Sequence, residues 1–166
     1  GARVDVAGFA ASTLNLSNND FLANRLRFTE NPGAGRVQNL GEITTPSGGS
    51  VYLVAPQVEN NGIISTPNGE VLLAAGQRVE LFDTATPGVR VEVVGSEGGT
   101  TNLGTITAEA GRIGIAGVLV KNSGTLNASS VVSEGGRIFL KASGDTLATG
   151  NSQISATGST GGQVEV

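Results

Sequence analysis

The sequence predicts an all-β chain: a single-stranded, right-handed parallel β-helix (β-solenoid) of about six to seven coils, opened by a short N-terminal non-repeat segment. Three observations carry this. A phrase of the form apolar-x-Asn-x-Gly-x-apolar recurs with its asparagines at 39, 60, 102 and 122, in steps of 21, 42 and 20 residues, and 42 is two turns of 21. A second phrase, Gly-x-aliphatic, follows roughly twelve residues after each and places Val51, Val71, Ile113, Ile138 and Val164 at a comparable period. Between them run short alternations of Val, Ile and Thr broken by Gly, Asn, Pro and Ser, with no sustained helical stripe after residue 30. β-Branched residues at period two suit strands. Helical repeats are longer, and the leucine lattice of a leucine-rich repeat is missing.

In a coil of this kind each strand hydrogen-bonds to its counterpart one turn away, about 4.8 Å along the axis, so six coils make a rod of roughly 30 Å. The crossover rule for parallel strands sets the right hand.

The chain divides into residues 1–36, a non-repeating capping segment, and residues 37–166, the coils, within one domain. Arg3-Val4-Asp5-Val6 and Ser12-Thr13-Leu14-Asn15-Leu16 are strand-like. Ser17-Asn18-Asn19-Asp20 is cap-like and opens a short helix through Phe21, Leu22, Arg25 and Leu26, ended before Asn31-Pro32-Gly33. Phe9, Phe21 and Phe28 are expected to cluster over one end or flank of the rod. In the coils, Val51/Leu53, Val71/Leu73, Val91/Val93, Ile113/Ile115, Ile138/Leu140 and Val164/Val166 are the expected inward columns. Val91 fills the gap between Val71 and Ile113.

Asn39, Asn60, Asn102 and Asn122 are expected inside one corner, where stacked amides hydrogen-bond along the column and each finds its partners. Leu81 stands at the matching place between 60 and 102 and should interrupt the ladder. Longer steps late in the chain place loops at residues 129–134 and 148–160. Glycine is expected to supply positive-φ turns at the corners.

Composition narrows the function. Val, Leu, Ile and Phe number 18, 14, 8 and 5, enough apolar surface to exclude disorder. Cys and His are absent, which removes thiolate zinc sites, thiol chemistry and histidine triads. A net charge of −4 with 14% charged residues lacks the basic footprint of a nucleic-acid binder. No stretch is long and apolar enough for a membrane helix, and the lack of any Met reads as a piece of something longer.

The outward column Ser50, Glu70, Arg90, Arg112, Arg137 and Gln163 pairs Glu70 with Arg90. Arg90, Arg112 and Arg137 form a candidate polyanion-binding stripe, set against the plainer reading of a solvated face. Glu59 and Glu80, 21 residues apart, share an outward column but have no pocket to tune them as an acid pair. Gly33-Ala34-Gly35-Arg36 and Gly111-Arg112-Ile113-Gly114 complete no phosphate loop. No catalytic, cofactor-binding or metal-ligating residue is assigned, and no cofactor is expected.

The stretch Ala2-Arg3-Val4-Asp5-Val6-Ala7-Gly8-Phe9-Ala10-Ala11-Ser12-Thr13-Leu14, continuing to Asp20-Phe21-Leu22 and the basic-aromatic Arg25-Leu26-Arg27-Phe28, resembles the filamentous-haemagglutinin-type secretion domain. That domain is the N-terminal module of two-partner-secretion exoproteins. The Val-x-Asn-x-Gly phrases are similar to the repeats of the same family. The family's Asn-Pro-Asn-Leu and Asn-Pro-Asn-Gly-Ile motifs are not in this stretch, so the chain reads as a portion of the module.

The resemblance implies a large secreted bacterial adhesin, not an enzyme, exported by an outer-membrane partner transporter whose periplasmic domains recognise it, and placed outside the cell or on its surface. A host glycan or receptor would be met through the full-length protein. The physics agrees: regular coils without disulfides can cross a membrane unfolded and add rung upon rung. Unpaired terminal edges predict end-to-end self-association. The alternatives are a carbohydrate-active β-helix, which needs a groove with paired acids, and a purely structural extracellular fibre.

Overall fold

A computed structural model describes residues 2–23, 25–84, 88–131 and 135–166, with the side chains of 82–90 left out. The chain starts with β1 (Arg3–Asp5) and β2 (Gly8–Ser12), leaves through β3 (Asn15–Leu16), α1 (Asn18–Leu22) and β4 (Leu26–Thr29), and then winds three-sided turns. These are β5 (Val37–Asn39), β6 (Glu42–Thr44), β7 (Ser50–Ala55), then β8 (Gln57–Asn60), β9 (Ile63–Ser65), β10 (Glu70–Ala75). A second excursion, β11 (Arg78–Thr84) and β12 (Gly88–Val94), precedes β13 (Gly99–Asn102), β14 (Thr105–Thr107), β15 (Arg112–Gly117). The last turns are β16 (Leu119–Asn122), β17 (Thr125–Asn127), β18 (Arg137–Ala142), β19 (Thr146–Ala148), β20 (Gln153–Ser155) and β21 (Gln163–Glu165).

Three parallel sheets follow, one per side. The first face runs β1-β6-β9-β14-β17-β20, the second β2-β7-β10-β15-β18-β21 and the third β5-β8-β13-β16-β19. Val51 stands opposite Val71, and Val71 opposite Ile113, as the repeat requires. The parallel β-helix expected from the sequence is thus borne out.

The 42-residue step is not two coils. β10 pairs directly with β15, and the residues between them leave the helix as an antiparallel hairpin in which Val91 faces Leu81. Val91 and Val93 are therefore not inward rungs. The reason is local: Val79–Leu81 and Val91–Val93 alternate with complementary period and lie close in sequence, so they satisfy each other's backbone without waiting for a distant coil. The first rung of the second face is instead β2, whose Phe9 stands opposite Val51. Likewise β1 stacks on β6, Val4 against Ile43. The opening strands of the non-repeating segment are thus paired into the coils.

The inner core is the stack of Ile43, Ile64, Ile106 and Leu126 on the first face, Val51 to Leu140 on the second, and Val58 and Val120 on the third. Val164 keeps register with Ile138, but it and Val166 are exposed. The expected loop over 148–160 is partly strand, because β20 pairs with β17, Ile154 against Leu126. Of the loop expected over 129–134, residues 132–134 lie outside the described residues.

The second face is apolar outside as well as inside. All six residues of β10, Glu70-Val-Leu-Leu-Ala-Ala75, are buried. The cover is the two excursions, which leave from the same corner, between the second and third faces. There β4 pairs antiparallel with β11, Phe28 opposite Val79, giving a sheet of order β12-β11-β4-β3. Leu14, Phe28, Val79, Leu81 and Val91 pack with Val54, Leu72, Ala74 and Ala116 into a second core outside the helix. Arg27 donates to Glu80 through Nη2 at 2.8 Å and Nε at 3.1 Å, and Lys141 Nζ donates to the Val91 carbonyl at 3.1 Å.

The three phenylalanines do not cluster. Phe9 packs against the inner core, Phe28 lies in the outer one, and Phe21 is exposed on α1. This helix is held by its own cap: Ser17 Oγ accepts from the Asp20 N–H at 3.0 Å, and Arg25 Nε pairs with Asp20 Oδ1 at 2.9 Å. The Ser17 hydroxyl and then Arg25 hold the Asp20 carboxyl below its usual range.

Candidate functional site

The corner between the third and first faces carries the asparagine column. The side chains of Asn60, Asn102 and Asn122 are fully buried, and Asn39 nearly so. Asn39 Nδ2 donates to Asn60 Oδ1 at 2.8 Å, Asn60 Nδ2 to Asn102 Oδ1 at 2.9 Å, and Asn102 Nδ2 to Asn122 Oδ1 at 2.8 Å. Asn122 Nδ2 continues to Ser152 Oγ at 2.7 Å. The ladder is continuous. Leu81 does not interrupt it, because the hairpin removes Leu81 from the coil and leaves Asn60 directly beneath Asn102.

Two residues on, Gly41, Gly62, Gly104 and Gly124 stack so closely that a Cβ on any of the last three would collide with the carbonyl oxygen of the glycine one coil below. None of the four has positive φ. Here glycine serves close approach of successive coils rather than a left-handed turn. The same holds for Gly69 and Gly111 at the corner before the second face, where the positive-φ positions are Gly48, Asn68 and Ala110.

On the second face the outward column is redrawn. Glu70 lies between Ser50 and Arg112, not beside Arg90. Arg112 and Arg137 are in register on adjacent strands, whereas Arg90 stands opposite Phe82 in the hairpin and its side chain lies outside the described residues. The three-arginine stripe is therefore two residues in this column, for the same reason that Val91 is not a rung.

Glu70 is buried, and both its oxygens are engaged. Tyr52 Oη donates to Oε2 at 3.0 Å, and Arg112 Nε stands 3.4 Å from Oε1. A cavity of about 270 Å³ opens beside them, lined by the Gly48-Gly49, Asn68-Gly69 and Ala110-Gly111 turns. Burial, then the Glu70 charge and its hydrogen bond, push the Tyr52 hydroxyl up to about 12. The outer face of β10 makes Tyr52 and Glu70 neighbours. Sequence reading put Glu70 in the outward column but missed its contact with Tyr52, because that contact is diagonal: Tyr52 stands opposite Leu72, not Glu70.

Glu59 and Glu80, expected to share an outward column, do not: Glu80 is tied to Arg27 in the extrahelical sheet, while Glu59 accepts from Asn61 Nδ2 at 2.6 Å on the third face. Among the described residues no group of three His, Cys, Asp or Glu could hold a metal ion, and no helix is long and apolar enough to cross a membrane.

No protein-family model matches the chain, and no curated protein does. Among solved structures it is similar to the HMW1 secretion domain from Haemophilus influenzae, with 33% identity and a TM-score of 0.85 over 95% of this chain. The chain spans 43% of that domain's length. The resemblance to the filamentous-haemagglutinin-type secretion domain of two-partner-secretion exoproteins, drawn from residues 2–28 and the coil phrases, is borne out.

Proposed function

We propose that this chain is part of the secretion domain of a large bacterial adhesin or filamentous-haemagglutinin-like exoprotein. In this reading it is exported by a partner outer-membrane transporter and serves as the β-helical scaffold of a protein that acts outside the cell or on its surface. The observation that carries the reading is the likeness to the HMW1 secretion domain, in fold and in a third of the residues, over nearly the whole chain. Host glycans or receptors would belong to the rest of the exoprotein.

The geometry supplies a mechanism for such a scaffold. Each completed rung presents a row of unpaired N–H and C=O groups, a corner amide and a glycine seat to the next, so folding of newly delivered chain is templated and needs neither disulfide nor cofactor. The hydrophobic columns then make each addition favourable by burying aliphatic surface.

The test is secretion in a Gram-negative host with and without the cognate barrel, together with retention of the chain on that barrel's immobilised periplasmic domains. Barrel-dependent appearance in the medium and retention are expected. Export that is indifferent to the barrel, with no retention, overturns the reading.

A further inference from the structure

We propose that Asn61 is a site of spontaneous succinimide formation, and that the fold opens it while protecting the chain's other Asn-Gly pair, Asn68-Gly69. In this reaction the Gly62 backbone nitrogen attacks Asn61 Cγ. The bond from Cγ to the side-chain nitrogen breaks, and ammonia leaves carrying the proton that the Gly62 nitrogen gave up. The resulting five-membered imide is opened by water at either carbonyl, giving Asp or isoaspartate. Solvent water is the sole co-reactant.

The attacking nitrogen must be unencumbered. Glycine puts no Cβ in the way, and the Gly62 N–H has no hydrogen-bond partner among the described residues. That sets it apart within its own column. Gly41 N–H donates to Asn39 Oδ1 at 3.1 Å, Gly104 N–H to the Asn60 carbonyl at 2.9 Å and Gly124 N–H to the Asn102 carbonyl at 3.2 Å. The Asn61 side chain is exposed and held only by Glu59, at 2.6 Å, where the carboxylate can take up the departing nitrogen as ammonium.

Asn68 is exposed as Asn61 is, and the Asn61 N–H is also bonded, to the Asn39 carbonyl at 2.9 Å; what closes Asn68-Gly69 is its attacking nitrogen. Gly69 N–H donates to the Thr66 carbonyl at 3.0 Å, Asn68 N–H to the Glu109 carbonyl at 2.7 Å, and Asn68 Nδ2 to Ser47 Oγ at 3.0 Å. Reaction there requires the bond from the Gly69 N–H to the Thr66 carbonyl to open first.

The product matters because of where it falls. Isoaspartate adds a backbone methylene immediately before Gly62, which is seated against the Gly41 carbonyl and is itself the seat of Gly104. Asp at this position would set a second carboxylate beside Glu59. Either product loosens the corner next to the asparagine ladder.

The experiment is incubation of the folded chain in mildly alkaline buffer, peptide mapping by mass spectrometry, and methyl labelling of isoaspartate by its repair methyltransferase. A parallel sample is held in denaturing urea. In the folded chain, amide-to-acid conversion and methyl labelling are expected in the Asn61 peptide at least roughly tenfold faster than at Asn68, and the two rates should converge in urea. Asn61→Gln should remove the signal. Equal rates in the folded chain, faster conversion at Asn68, or conversion at Asn61 only in urea overturns the proposal.

Discussion

Asn60→Ala tests the corner ladder at its centre. Asn60 is fully buried and bonded on both sides, accepting from Asn39 at 2.8 Å and donating to Asn102 at 2.9 Å. Truncation leaves the Asn39 amide N–H and the Asn102 amide oxygen without those partners in a place water does not reach. A buried polar group stripped of its partner costs about 1–3 kcal/mol. Two of them predict about 2–6 kcal/mol, which is a large part of a typical domain's stability of about 5–15 kcal/mol. Urea unfolding followed by circular dichroism reads this as a lower midpoint at an unchanged slope. Asn102→Ala and the double variant complete a cycle: each single strips one group of the Asn60–Asn102 bond and the double strips neither, so the sum of the singles should overestimate the double by about 2–6 kcal/mol. A single-variant loss below about 1 kcal/mol with additive behaviour would refute the view that the amides act as a connected column.

The remaining expectations are simpler. Gly104→Ala drives a Cβ into the Gly62 carbonyl, while at Gly99 nothing stands within 4 Å of the added atom; thermal unfolding should show a loss of about 1–3 kcal/mol or more for the first and little for the second. Tyr52 is the single tyrosine of a chain without tryptophan, so alkaline absorbance titration reports it alone and should find a midpoint of about 12, which Glu70→Gln moves towards 10.0. Because the folded value is the higher one, this group's contribution to stability is full below the unfolded value and fades as pH rises from 10.0 towards 12. A midpoint near 10.0 in the folded protein would contradict the Tyr52–Glu70 contact. Leu81→Ala removes a nearly buried side chain from the outer core, at a cost of about 2–5 kcal/mol. Hydrogen exchange should quicken in β4, β11 and β12 while β14 and β16 keep their protection; uniform loss would mean that the outer sheet and the coils are one cooperative unit.

What the sequence by itself determined is the periodic part. Parallel stacking at one strand spacing forces residues one turn apart to occupy the same environment. Aliphatic columns such as Val51-Val71-Ile113-Ile138, and the amide column Asn39-Asn60-Asn102-Asn122, therefore repeat in the sequence as they repeat in space. The capped start of the helix at Ser17 was legible for a similar reason, since its bonds run between near neighbours, but its expected continuation through Arg25 and Leu26 was not met: the helix ends at Leu22, and Leu26 opens β4, which pairs with β11.

What only the tertiary structure decided is everything that joins residues without a shared period. Val79 meets Phe28, and Glu80 meets Arg27, across 51 and 53 residues because two excursions from one corner fold onto each other. No repeat marks that meeting. The hint was the unbroken apolar run of β10: a strand with only one buried side alternates, so Leu72 and Ala74 required a cover from outside. The sequence shows that demand but does not say which segment meets it, because hydrophobic burial is non-directional and many segments could satisfy it. The pairing of Glu70 with Arg112 rather than Arg90 followed from the same event, since removing the hairpin from the coil changes which side chains become neighbours.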